Sequence, residues 1–169
     1  NQPDEAVTCY EEALIGYQAA RDSDTIARIS SNLVFVYTTL SRFREAIVAA
    51  ERTQTLLTQL GPAAERYLVN LGVNYGWLLY EQEHYTKALA VNESAMHLAI
   101  RHNMDEEWAE LRVNQAFTLI TVGRLSESEH LLLESRKTLA QKQRHLTVAR
   151  VDLNLGDLYS ATGQLTAAL

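Results

Sequence analysis

An internal repeat limits this chain to few folds. Four fifteen-residue segments align without a gap: NLVFVYTTLSRFREA from Asn32, NYGWLLYEQEHYTKA from Asn74, NQAFTLITVGRLSES from Asn114 and NLGDLYSATGQLTAA from Asn154. The anchoring Asn recurs at a nearly constant interval, close to forty positions each time. Five positions on stand Tyr37, Leu79, Leu119 and Tyr159, and eleven on stand Phe43, Tyr85, Leu125 and Leu165. Fourteen on stand the small residues Ala46, Ala88, Ser128 and Ala168. A period of this length means one supersecondary unit per repeat, each too small to bury its own apolar face and so stacked on its neighbours.

Each unit reads as two helices. Around the anchor the apolar residues follow helical spacing, as in Ile29, Leu33, Val36, Tyr37 and Leu40, or Leu71, Tyr75, Leu78 and Leu79. A short polar break follows at Ser41-Arg42, Glu83-His84, Gly123-Arg124 and Gly163-Gln164, and a second helix opens near the small column. Between units, Gly61-Pro62 ends one helix and starts the next, while Asp22-Ser23-Asp24 and Asn103-Met104-Asp105 offer capping side chains. The spacing predicts helices near 4–20, 25–40, 44–60, 63–81, 86–101, 105–122, 126–142 and 146–162, and an all-α fold. With only 7 Gly and 2 Pro in 169 residues, a loop-rich sandwich is excluded, and 47% hydrophobic residues suffice for a packed core. Small residues at Ala46, Gly76, Ala88, Ala116 and Gly156 are expected where helices approach closely, and the Gly72/Gly76 pair is read in the same way.

Subtracting one period from Ala46 lands on Ala6, which makes 4–20 the second helix of a partial repeat; repeats at 22–61, 62–103 and 104–143 follow, with a partial one at 144–169. A single array that begins and ends within a repeat is expected to be a piece of a longer protein, with self-association possible through its cut ends.

Charge and chemistry narrow the function. A net charge of -6 without a basic block is poor for nucleic acid, whose phosphates need clustered cations. The densest basic group, Arg136, Lys137, Lys142 and Arg144, lies at a predicted helix end, and the densest acidic one, Asp105, Glu106, Glu107 and Glu110, opens a helix; each complements the helix dipole there. The lone Cys9 cannot form an internal disulfide and is read as packing, in a reducing, cytoplasmic setting. No apolar run reaches the ~18 residues of a membrane span. Asn92-Glu93-Ser94 falls within a helix, where a glycan is awkward. His97 and His102 fall on different helix faces, and no HExxH, paired Cys, phosphate loop or GxSxG is present. No catalytic, metal or cofactor site is therefore expected, and the chain reads as a non-enzymatic module.

The segment NLGDLYSATGQLTAA resembles the tetratricopeptide repeat, whose helix pair carries Asn-Leu-Gly, an aromatic, a Gly before the turn and an Ala in the second helix. The other repeats depart from it at Val34 and Ser41, at Tyr75 and Glu83, and at Gln115 and Ser128. The long period is similar to the subset that includes kinesin light chains, Pins-type adaptors, bacterial pheromone regulators, maltose-activator-like regulators and arrays fused to CHAT peptidases. The resemblance implies an α-α superhelix whose first helices line a concave groove. Helical spacing around each Asn then selects Arg28 and Phe35 in the first repeat, Asn70, Val73, Trp77 and Tyr80 in the second, Val113 and Phe117 in the third, and Arg150 and Asp157 in the fourth. Phe35, Trp77 and Phe117 form an aromatic column not needed by the core stripe. It marks either an apolar groove for a protein or peptide partner or a face packed against other parts of the chain. The resemblance also leaves room for a ligand- or pheromone-sensing regulatory region of a larger bacterial signalling protein. The Asn ladder is read as bonding between neighbouring helices rather than as a peptide clamp.

Overall fold

A computed structural model describes residues 2–20 and 22–163. Among these, eight α-helices follow one another: α1 (Gln2–Ala20), α2 (Ser23–Thr39), α3 (Phe43–Leu60), α4 (Glu65–Glu81), α5 (Tyr85–Arg101), α6 (Asp105–Thr121), α7 (Leu125–Gln141) and α8 (His145–Ala161), with no strand among the described residues. The bounds lie within about two residues of those expected from spacing, with α1 and α2 opening earlier and a late start at α4. There Pro62, which has no N–H to donate, sits in a 3-10 turn over Gly61–Ala64, and the α-helix opens only at Glu65. The fourth repeat's Leu165 and Ala168 lie outside the described residues.

Helix ends explain the regular hairpins. Asp22 caps α2: its carboxylate accepts from the Thr25 backbone N–H at 3.0 Å and the Thr25 hydroxyl at 2.8 Å. Asn103 does not cap α6 as expected; Met104 is the N-cap residue, without a side-chain bond, and Asn103 closes α5 instead, with φ 53°. The same closure recurs along the chain. Ser41, Glu83, Asn103, Gly123 and Gln143 all have positive φ. Each donates its N–H to the carbonyl three back, and the next residue donates to the carbonyl five back, as in Ser41 to Thr38 at 3.0 Å and Arg42 to Tyr37 at 2.8 Å. This two-bond closure satisfies the last carbonyls of a helix in a minimal loop. One position where the repeat family has Gly is thus forced into the left-handed region even where Ser or Glu stands there.

The chain divides into two compact units, 1–84 and 85–169. In the N-terminal unit α2 packs on α1, α3 and α4, and α3 on α4. Its core gathers Val7, Leu33, Val34, Tyr37, Leu57, Leu71 and Leu78 with the fully buried Ala46 and Ala50. In the C-terminal unit α6 packs on α5, α7 and α8, and α7 on α8. So enclosed, α6 buries Ala109, Leu111, Arg112, Val113, Asn114 and every residue from Ala116 to Leu119. Ala88 and Ala116 are fully buried, as close approach requires, and Gly72 and Gly76 are buried as well. Gly156 differs from the expectation: a Cβ added there meets nothing within 4 Å among the described residues. Cys9 likewise is exposed, not packed. Asn92, in contrast, is fully buried, which closes the glycosylation triplet to modification.

Candidate interaction surfaces

The first helices of the N-terminal unit, α2 and α4, carry six of the residues singled out by spacing. Arg28 and Asn70 are exposed, Phe35 is 51% exposed, and Val73, Trp77 and Tyr80 are half-buried. Trp77 and Tyr80, one helical turn apart on α4 and so on one face, stack with ring centroids 5.3 Å apart and planes at 29°. This pair and Phe35 give the unit an aromatic face that stays partly open to solvent.

In the C-terminal unit the same columns are closed. Val113 and Phe117 are buried, at 0% and 6% exposure, whereas Arg150 and Asp157 are exposed. The guanidinium of Arg150 on α8 lies over the Phe117 ring, 5.5 Å from its centroid. Although Arg150 is exposed as a residue, packing desolvates its charged end and holds its pKa below the usual arginine range, against the opposing field of Glu110. The corresponding residue on α4 is Asn70, a side chain too short to cover a ring in this way, and Phe35 remains open. The aromatic column is legible in the sequence; that Phe117 is covered and Phe35 open is not.

The Asn ladder bonds a neighbouring helix at Asn74 and its own helix at Asn154. Asn74 on α4 donates through Nδ2 to the Ser31 carbonyl on α2 at 3.0 Å, and Asn154 donates to the Arg150 carbonyl of its own helix at 2.7 Å. The charged clusters meet each other rather than standing apart. Arg144 lies 3.0 Å from Glu106 and 3.1 Å from Glu110, Lys142 lies 3.7 Å from Asp105, and Arg136 pairs with Asp152 on α8. Helix-end placement thus accounts for only part of these clusters; they also link α6, α7 and α8 across the surface. No group of His, Cys, Asp or Glu among the described residues could hold a metal ion, and no described helix is long and apolar enough to cross a membrane.

Spacing around the Asn misses a second surface. On the side of α2 opposite Phe35, between α1 and α3, runs a groove of about 460 Å³. Leu14, Ile26, Leu33 and Val48 line it, together with the buried Tyr37, whose hydroxyl donates to Glu11 at 2.5 Å. Burial, then the Glu11 hydrogen bond and charge, push the Tyr37 phenol up to about 12. The Arg42 guanidinium covers the ring at 4.8 Å and bonds Glu45 at 3.0 Å. A groove of about 780 Å³ recurs in the C-terminal unit between α5 and α7 over α6. Its lining is the equivalent one two repeats on: Leu119 for Tyr37, Glu127 for Glu45, His130 for Val48 and Glu93 for Glu11. No column of the repeat marks it: Ala46, Ala88 and Ser128, the small residues of the second helices, are fully buried and line neither groove.

No family model and no curated protein matches the sequence. Solved structures do match. BtubC (BKLC) from P. vanneervenii superposes with a TM-score of 0.81 at 17% identity, over 99% of this chain and 70% of that one. The apo form of RapI superposes with a TM-score of 0.78 at 13% identity, over 99% of this chain. This chain spans 46% of RapI. The fold is that of the TPR-like helical repeat proteins. At these identities the likeness carries the architecture alone, an all-α solenoid of helix pairs.

Proposed function

We propose that this TPR-like chain is a protein-binding module whose N-terminal unit holds an extended or helical peptide against the first-helix face of α2 and α4. The observation that carries the reading is the open aromatic face: Phe35 half exposed, beside a helix that presents the stacked Trp77 and Tyr80. Rigid aromatic rings supply contact area at small entropic cost and dominate peptide recognition when water is excluded around them. Arg28 and Asn70, exposed at the edges of the same two helices, would fix orientation by hydrogen bonding to the peptide. In the C-terminal unit Val113 and Phe117 would form the floor under Arg150 and Asp157, so partner contact there would be polar. The fold and the residue types favour binding over catalysis, and a cytoplasmic setting suits the exposed free thiol of Cys9. Exposed apolar side chains on the outer helices, Ile15 on α1 and Leu146 and Leu153 on α8, make self-association a further route of contact.

Selection of a displayed random-peptide library on the full chain tests this reading. Enriched peptides should carry apolar or aromatic anchors and should lose at least tenfold in affinity for the Phe35→Ala and Trp77→Ala variants. No enrichment, or binding indifferent to both substitutions, would rule it out.

A further inference from the structure

The two units share one scaffold but differ in charge at three equivalent positions in and beside these grooves. In the C-terminal unit Arg112 on α6, which does not line the groove, is buried and forms an ion pair with Glu134 on α7, while its guanidinium lies 4.5 Å from the Trp108 ring centroid. The positions equivalent to these two in the N-terminal unit, two repeats earlier, are Ser30 on α2 and Arg52 on α3, both lining the groove there. The internal cation has become a short hydroxyl, and its carboxylate partner on α7 has become an arginine that lines the wall of the N-terminal groove. Two turns earlier on the same wall stands Arg44, where the C-terminal unit has Ser126. Among the described residues no carboxylate stands within 4.0 Å of Arg44 or Arg52 as an ion pair, although the Arg44 charge is felt at Glu45. The two carboxylates that line the groove are committed elsewhere: Glu11 accepts from the Tyr37 hydroxyl, and Glu45 is bonded by Arg42. Wall and floor thus leave an apolar trough with two available cations along one edge, on α3, spaced about 12 Å apart at the helical rise of about 1.5 Å per residue.

We propose that the groove between α1 and α3 is a second docking site, which takes an acidic amphipathic helix of a protein partner: apolar side chains enter over Leu33 and Val48, and carboxylates spaced two turns apart reach Arg44 and Arg52. A volume of about 460 Å³ suits one helix edge, with room for apolar side chains at i, i+4 and i+7. Charge complementarity selects the occupant. The chain as a whole carries -6, so a general electrostatic preference would draw basic peptides, and a preference for an acidic one has to come from a local site. This site lies on the side of α2 away from Phe35 and is independent of the peptide reading for that face.

The test uses the full chain and two acetylated, amidated, fluorescein-labelled peptides, each long enough for about five helical turns. They share a leucine stripe and differ only in carrying two glutamates or two lysines, two turns apart, beside it. Anisotropy titration should show saturable binding of the glutamate peptide at least tenfold tighter than the lysine one. Arg44→Glu/Arg52→Glu, both at exposed positions, should remove that preference with the circular dichroism spectrum unchanged, whereas Trp77→Ala should leave it intact. Amide shifts in the labelled chain should cluster on α1 and α3. No saturation with the glutamate peptide up to millimolar concentration overturns the proposal, as does equal affinity for the double variant or shifts confined to the Phe35 and Trp77 face. Concentration-dependent dimerisation that shifts α1 and α3 without peptide also overturns it, since a second copy would then be the occupant.

Discussion

The left-handed closures offer a stability change whose size follows from the backbone alone. Ser41, Glu83 and Gln143 hold φ of 57°, 58° and 57°, where a side chain bearing Cβ costs roughly 1 to 2 kcal/mol relative to the right-handed region. Glycine removes that cost but loses about 0.4 to 1 kcal/mol through the greater freedom of the unfolded chain. The net gain is therefore about 0.5 to 1 kcal/mol per site, with both hydrogen bonds of the closure kept. The triple variant Ser41→Gly/Glu83→Gly/Gln143→Gly should gain about 2 kcal/mol, which for a chain of this length raises Tm by roughly 4 to 8 °C. Asn103→Gly should gain less, because Asn tolerates this region better. The converse change isolates the backbone: a Cβ at Gly123 meets nothing within 4 Å, so Gly123→Ala should cost about 1 kcal/mol from φ 81° alone. Differential scanning calorimetry of the parent and these variants reads both directions. A triple variant less stable than the parent, or a neutral Gly123→Ala, would mean that the closures hold no backbone strain.

Three further outcomes follow from buried and exposed groups. Arg112 is buried with its Nε unpartnered and Glu134 as its ion-pair partner, so Arg112→Met should stay within about 1 kcal/mol of the parent in urea unfolding, while Arg112→Ala, which also strips packing from Trp108, should cost about 2 kcal/mol. Tyr37 has a folded pKa of about 12 against an ordinary 10.0, so the unfolded chain releases that proton first; its contribution is fully present below pH 10 and falls away between about pH 10 and 12, by on the order of 2 kcal/mol. Urea midpoints at pH 9 and 11.5 should therefore drop less for Tyr37→Phe than for the parent, and equal drops would contradict the assignment. The exposed Cys9 should react with a thiol reagent in the native chain at a rate close to that of the urea-unfolded chain.

The periodic part of the fold is legible in the sequence. Columns such as Tyr37, Leu79 and Leu119 recur on the core stripe of the first helices, and all three are buried. Asn74 reads as a bond to an adjacent helix, and it is one. What the pattern does not carry are properties set by a single pair of residues. Phe35 and Phe117 share a column, yet one is open and the other is buried with the Arg150 guanidinium over its ring. Arg144 reads with its own helix end, since its partners Glu106 and Glu110 are more than thirty positions away. Asn103 reads as a cap for the helix after it because Asn serves at both kinds of helix end. Gly156 reads as a close contact by analogy with Gly76, although one column can hold the same residue for different reasons. The grooves between second helices are gaps, and a gap has no residue to mark it.

Whether the α2 and α4 aromatic face is kept for a partner or for the core is decided by following unfolding and binding on one variant. Trp77→Ala should keep its Tm within a few degrees of the parent while its affinity for a selected peptide falls at least tenfold, the loss of about 1.4 kcal/mol or more expected on truncating an aromatic anchor. A loss of stability of about 3 to 5 kcal/mol, as truncation of a core Trp costs, or an unchanged affinity, would show that the ring serves packing and that the face is not a binding surface.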